Sequence, residues 1–275
     1  MNSYPAPAKL NLFLHVVGRR ADGYHLLQTV FRFIDVADTV HVSVRRDGRI
    51  RLLNPLPGVA ECDDLCYRAA SLLQAETGCR LGTDIGLDKR LPMGGGLGGG
   101  SSDAATVLLA LNRLWGLGLA RDALQTMGLA LGADVPIFIF GRNAFAEGVG
   151  ERLQAVDLPP ASYVVLTPPV RVATPRVFGH PGLTRNTPAM TIAALSGARG
   201  HNDLQPVVVE MFPVVGEYLD WLAQYGDARM TGSGACVFAA FPERVAAERV
   251  FALRPPEMQG FVADGLSQHP LYAAD

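Results

Sequence analysis

The chain has 275 residues, 49% of them hydrophobic, which is enough apolar material for one large core or two ordinary ones. Its 24 Lys and Arg nearly balance its 26 Asp and Glu, and a net charge of -2 leaves no global basic field for nucleic acid or an acidic membrane. The N-terminus lacks the charged start and apolar stretch of a signal peptide, and no run nears the ~20 apolar residues of a membrane span, so the expectation is a cytoplasmic protein with small-molecule partners, no nucleic acid and no membrane.

Along the chain, Leu10, Leu12, Leu14 and Val16 alternate with Lys9, Asn11, Phe13 and His15. That is the period of a half-buried strand, and it points Lys9 and Asn11 the same way. A turn follows at Asp22-Gly23, and further strands are predicted at Val40–Val44 and Thr83–Leu87. Between those two strands, residues 63–75 have helical spacing behind an aspartate cap. The cysteines at 62, 66, 79 and 236 are too few and too irregularly spaced for a disulfide scaffold or a zinc ribbon, so all four are expected as buried thiols.

Next comes Pro92-Met93-Gly94-Gly95-Gly96-Leu97-Gly98-Gly99-Gly100-Ser101-Ser102, leading into a helix predicted from Ala104 through Trp115. Glycine lets main-chain N–H groups approach a ligand closely, and the first turn of a helix offers unpaired donors with a partial positive charge, so the segment reads as a phosphate-binding loop. A purely structural turn is the competing reading, but glycine costs about 0.5 to 1 kcal/mol per residue in regular structure, and a connector rarely needs so many. No Lys follows Gly100, so this is not a Walker A loop, and no acidic residue lies at 113–121 to support a dinucleotide fingerprint. Ser101 and Ser102 are placed to cap the helix or to offer hydroxyls to phosphate or metal. No Gly-x-Ser-x-Gly elbow is present.

A second helix is predicted over Arg121–Leu131 and stops at Gly132, with Asp134 just past its end, where a plain turn aspartate before Val135-Pro136 is the competing reading. Proline-rich sequence near 157–161 suggests a boundary between domains at 1–158 and 159–275. The second half reads as a strand at Tyr163–Leu166, a loop region over 168–200, a helix near Phe212–Gln224, a strand at Ala235–Phe241, a helix over Glu243–Leu253 and a strand at Phe261–Ala263. This succession predicts an antiparallel sheet with helices on one face, and an α+β protein overall. Thr231-Gly-Ser-Gly-Ala-Cys alone is a turn.

Taken in order, Pro7-Ala-Lys-Leu-Asn, Arg20-Ala-Asp-Gly-Tyr-His, the segment from Leu91 to Ala104, Gly132-Ala-Asp-Val-Pro and Thr231-Gly-Ser-Gly-Ala resemble the GHMP kinase superfamily. Within it they are most similar to the branch whose acceptor is a cytidine diphosphate sugar alcohol of non-mevalonate isoprenoid synthesis. The resemblance implies a two-domain α+β fold with a mixed N-terminal domain, ATP as donor with Mg2+, and transfer of the γ-phosphoryl to the 2-hydroxyl of a methylerythritol unit. It implies Asp134 as base, Lys9 as the cation that balances it and the transferred group, and residues 92–102 around ATP. At about 4 Å and an effective dielectric near 20, such a charge pair is worth roughly 4 kcal/mol. The resemblance also implies Tyr24 stacked on the cytosine, His25 at the base edge, Phe178 as a second aromatic wall, and Thr174 and Asn11 near the acceptor. It departs at Asp64, where the branch carries Asn near the adenine; Asp64 would equally serve as a helix cap. Kinases of mevalonate, homoserine and galactose share the superfamily, and the Tyr24-His25 pair separates this chain from them. A non-catalytic RNA-binding relative would need a basic face, which the charge balance opposes. No metal ligands are identifiable, and monomer and homodimer both remain open.

Overall fold

The computed structural model describes residues 1–192 and 200–272. Strands β1 (Asn2–Arg19) and β2 (His25–Arg45) form a long antiparallel hairpin, and β3 (Ile50–Leu52) follows. Helix α1 (Leu65–Thr77) leads to β4 (Gly82–Asp88), then to α2 (Gly99–Leu114), α3 (Arg121–Leu131) and α4 (Val135–Phe140). Strands β5 (Ala144–Glu147) and β6 (Arg152–Ala155) complete a six-stranded sheet ordered β3-β4-β2-β5-β6, with β1 on the other edge of β2. The rest of the chain supplies β7 (Ser162–Leu166), α5 (Thr174–Phe178), α6 (Gln205–Met211), α7 (Pro213–Ala223), β8 (Arg229–Met230), β9 (Val237–Phe241), α8 (Arg244–Ala252) and β10 (Gly260–Asp264). Its four strands form an antiparallel sheet ordered β10-β7-β9-β8, against which α7 and α8 pack, as the element order predicts.

Three expectations need correction. The first strand is not half-buried: from Ala6 to Asn11 every residue is buried. One side of the hairpin faces the helices, with Ala6, Phe31 and Phe33 packed on α1, α2 and α4, while Ala8, Leu10 and Ile34 form a second cluster with Tyr163, Val165 and Phe238 of the other sheet. The hairpin is thus a central layer, and the unbroken burial from Gln28 to Ile34 in β2 has the same cause. Second, α2 begins at Gly99 rather than Ala104, so Ser101 and Ser102 lie inside its first turns and do not cap it; Gly98 holds the N-cap position, with no side-chain bond. Third, only Cys66 and Cys236 are buried, whereas Cys62 is exposed and Cys79 half-buried. Burial pushes the Cys66 thiol up, and that of Cys236 to about 12.

Elsewhere the segment predicted over 40–44 is the far end of a 21-residue strand. The loop region over 168–200 contains α5, and its residues 193–199 lie outside the described ones. Asp64 caps α1, its Oδ1 accepting from the amides of Cys66 (2.8 Å) and Tyr67 (3.1 Å). Among the described residues no helix is long and apolar enough to cross a membrane.

Candidate active site

The outer edge of β1 gathers the site. Lys9 donates its backbone amide to Leu97 O (3.0 Å), Asn11 donates its amide to Thr231 Oγ1 (2.9 Å), and Leu14 bridges to Asn202. The glycine loop and the 231–234 turn therefore meet on one strand. Lys9, 2% exposed, donates its ammonium to Asn11 Oδ1 (2.5 Å) and Gly96 O (2.9 Å), and its Nζ lies 3.1 Å from Asp134 Oδ2. Three N–H donors meet three acceptors, as a buried ammonium requires. Asn11 Nδ2 continues the network to Thr29 Oγ1 at 2.9 Å, and that hydroxyl donates to the carbonyl of Phe13.

Close packing explains two of the glycines. Gly96 has φ +78°, and a Cβ there would lie 2.2 Å from Thr231 O. Gly98 has φ +72°, and its Cβ would come within 3.0 Å of Phe138 and Lys9 Cε. The first α2 amide with an intrahelical acceptor is that of Ser102, bonded to Gly98 O at 2.8 Å, so the preceding amides of the turn are free of the ladder. They border a cavity of about 390 Å³ lined by every residue from Pro92 to Ser101, with Asp64, Lys89, Asp103, Asp134 and Thr174. Ser102 is the exception in the predicted segment: it is fully buried, with Oγ unpartnered, and it lines no part of this cavity.

A second chamber of about 250 Å³ shares Gly96, Ser101, Asp134, Thr174 and Ser233 with the first and adds Lys9, Asn11 and Thr29. A third, of about 520 Å³, shares Thr174, Phe178, Leu27, Ala133 and Val149 with the second and adds Tyr24 and His25 from the hairpin turn. Asp134, at the N-cap of α4 and 39% exposed, stands where the first two chambers meet. Thr174, the first residue of α5, lines all three chambers and shares a 2.7 Å hydrogen bond with Ser233. In the third chamber the rings of His25 and Phe178 stack on each other, with centroids 5.0 Å apart and planes at 27°, while Tyr24 is 64% exposed at the rim.

Sequence reasoning missed a charged cluster at the first chamber. Lys89 bonds both Asp38 and Asp103, the latter at 2.8 Å, and Asp38 Oδ1 also accepts the amides of Arg90 and Leu91. Lys89 and Asp103 line the chamber and Asp38 is fully buried. Burial pushes the Asp103 carboxyl up to about 7, against the opposing pull of Lys89. Asp103 follows the glycine-serine run directly, which was the only available signal. Among the described residues, no group of three or more His, Cys, Asp or Glu is arranged to hold a metal by itself.

The chain matches two family models, described as GHMP kinases N terminal domain over residues 64–142 and GHMP kinases C terminal over residues 184–252. It is 65% identical to a 4-diphosphocytidyl-2-C-methyl-D-erythritol kinase of Thiobacillus denitrificans, over 98% of this chain and 97% of that protein. Among solved structures, it resembles a 4-(cytidine 5'-diphospho)-2C-methyl-D-erythritol kinase with TM-score 0.83 and 36% identity, covering 96% of this chain and 99% of the other. A homoserine kinase from Cytophaga hutchinsonii matches with TM-score 0.71 at 16% identity, over 97% and 94% of the two chains, a likeness of fold alone.

The Asp103 carboxyl gives a signed expectation. Its folded value of about 7 lies above the ordinary 3.8, so the folded state holds the proton more tightly, and the associated stability is present below pH 4 and lost as pH rises to 7. Asp103→Asn is therefore expected to flatten the fall in unfolding free energy between pH 5 and pH 8, by an amount on the order of 1–3 kcal/mol. Unfolding curves at the two pH values measure it, and an unchanged slope in the variant would contradict the assignment.

Proposed function

The chain belongs to the GHMP kinases, in the branch of the 4-diphosphocytidyl-2-C-methyl-D-erythritol kinases, and we propose how its three chambers divide the reaction of that branch. It is an ATP-dependent kinase that phosphorylates the 2-hydroxyl of 4-diphosphocytidyl-2-C-methyl-D-erythritol, giving the 2-phosphate and ADP in the non-mevalonate route to isoprenoid precursors. The donor and this metabolic role make the cytoplasm its place of action.

ATP occupies the first chamber, with its phosphates on the loop amides of residues 94–101 and the N-terminus of α2. The acceptor alcohol enters from the second chamber, so that the reacting atoms meet at Asp134. There the alcohol oxygen attacks the γ-phosphorus, its proton passes to the Asp134 carboxylate, the bond from γ-phosphorus to the bridging oxygen breaks, and ADP leaves with the electron pair. Lys9, held by Asn11 Oδ1 and Gly96 O, cannot swing away, and it places one fixed positive charge beside both the base and the group in transit. The observation that carries this reading is the 3.1 Å contact between Lys9 Nζ and Asp134 Oδ2 at the junction of two chambers.

Mg2+ fits as an ion carried on the phosphates, since it binds readily through phosphate oxygens, water and one or two protein oxygens. Ser101 and Asp134, which line both chambers, are the residues that would touch it. When bound it supplies neutralisation of charge on the phosphates. In the third chamber Tyr24 and Phe178 flank the cytosine and His25 meets its edge, while Asn11 and Thr174 contact the acceptor alcohol. We divide the chain into domains 1–158 and 159–275, a reading supported by its two separate sheets.

In a coupled ADP-release assay, the diphosphocytidyl acceptor is expected to turn over while mevalonate, homoserine and galactose do not. In the same assay Asp134→Asn should lower kcat by about 10²- to 10⁴-fold, with ATP affinity by calorimetry unchanged. Retained turnover would remove Asp134 from the role of base. Tyr24→Ala should raise KM for the cytidine substrate roughly tenfold and leave KM for ATP in place. Equal effects on the two substrates would count against the clamp.

A further inference from the structure

Arg185 lines none of the three chambers, yet it is tied to two residues of the third. It donates Nε to His25 Nε2 at 3.1 Å, Nη1 to Leu183 O at 3.0 Å, and Nη2 to Phe178 O at 3.0 Å and His180 O at 2.8 Å. A guanidinium has only donors and keeps its charge at all ordinary pH, so His25 Nε2 must accept, and the ring proton of a neutral His25 is fixed on Nδ1. Nδ1 has no protein partner among the described residues. The imidazole, stacked on Phe178, therefore presents one donor and no free acceptor to the chamber.

Cytosine and uracil differ at the atom that such a ring reads. Cytosine N3 is an acceptor, whereas uracil N3 carries a proton and donates. We propose that Arg185 is a specificity-determining positioning residue: by holding His25 as the Nδ1–H tautomer, it makes the third chamber select cytosine over uracil. The proposal rests on the cytidine reading of that chamber. Without the arginine, the proton is free to move to Nε2, and Nδ1 can then accept from uracil N3–H. Charges around the ring act in the same direction. Burial, Arg185 and Arg19 all lower the His25 pKa from 6.5, and the nearby Asp22 is engaged by Arg20 at 2.7 Å, so the ring stays neutral and does not gain a second donor.

Two measurements on the full-length protein test this. Nitrogen-15 spectra of the wild-type imidazoles report the tautomer without any ligand; a His25 protonated on Nδ1 is expected, and one protonated on Nε2 would overturn the proposal. In the ADP-release assay, kcat/KM is compared for the diphosphocytidyl acceptor and its diphosphouridyl counterpart. Wild type should prefer cytidine by about a hundredfold or more, because a mismatched donor leaves buried polar groups unpaired. Arg185→Met should cut that ratio about tenfold, a loss on the scale of one hydrogen bond, while shifting His25 toward a tautomer mixture. A purely structural role for Arg185 would depress both substrates equally and leave the ratio intact, which would sink the idea. Failure of wild type to prefer cytidine would strike instead at the reading of the chamber, and the imidazole spectra would still decide the lock. Should Arg185→Met not fold, the wild-type spectra alone decide between the two tautomers, and with them the proposal.

Discussion

A buried ammonium needs three acceptors, and in this protein that requirement organises both the fold and the site. Lys9 finds them in Asn11 of its own strand, the carbonyl of Gly96 and the carboxylate of Asp134, from three separate segments of the chain. The side chain is only 2% exposed, so losing one protein partner would leave a largely buried donor at a cost of several kcal/mol. Bringing the three together forces the glycine loop against the outer edge of β1 and the start of α4 against the loop. The contact that sets a carboxylate beside a cation is thus the contact that closes the core over the hairpin. Apolar packing supports it from both sides, with Ala6 on the helical face and Ala8 and Leu10 on the second sheet.

Features whose physics is local were legible in the sequence. Alternation puts Lys9 and Asn11 on one face, and the structure bonds them to each other. The glycine run announces a close approach of backbone to something, and the helices at 121–131, 213–223 and 244–252 follow from spacing and their stops. Features that depend on distant partners were not legible. The predicted start of α2 falls five residues late because glycine is a poor helix former; the helix begins there because Gly98 fits where a side chain would collide with Phe138 and Lys9, a constraint no local pattern encodes. Asp134 resembles a turn residue because the six-residue helix after it is too short to show a period. Lys89, Asp38 and Asp103 form a cluster across separations of 14 and 51 residues, and Arg185 reaches His25 across 160.

Constraint is uneven along the cleft. At the glycine-loop end, a side chain at Gly96 would collide with backbone, so that region is fixed by sterics. At the far end, the wall consists of the hairpin turn with exposed Tyr24 and the five-residue α5, whose last carbonyl, Phe178 O, is held by Arg185 together with that of His180 just beyond it. The far end is therefore held by one buried anchor, Val177 in the second core, and a few polar bonds, and the glycine-loop end by close packing of backbone. Segments with few packed contacts open at lower free energy than those fixed by close packing.

The two ends are nevertheless joined by a short path of contacts. Thr174 begins α5 and shares a hydrogen bond with Ser233; the same turn carries Thr231, whose carbonyl crowds Gly96 and whose hydroxyl receives the amide of Asn11. Gly96 in turn accepts the ammonium that contacts Asp134. Any displacement of α5 would be felt first at the hydrogen bond between Thr174 and Ser233. Because neither Gly96 nor Thr231 has slack, that shift must be absorbed by the polar links and not by the loop. The geometry around Lys9 can then stay constant while the acceptor chamber adjusts, which is the condition under which fixed charges favour the transition state over the ground state.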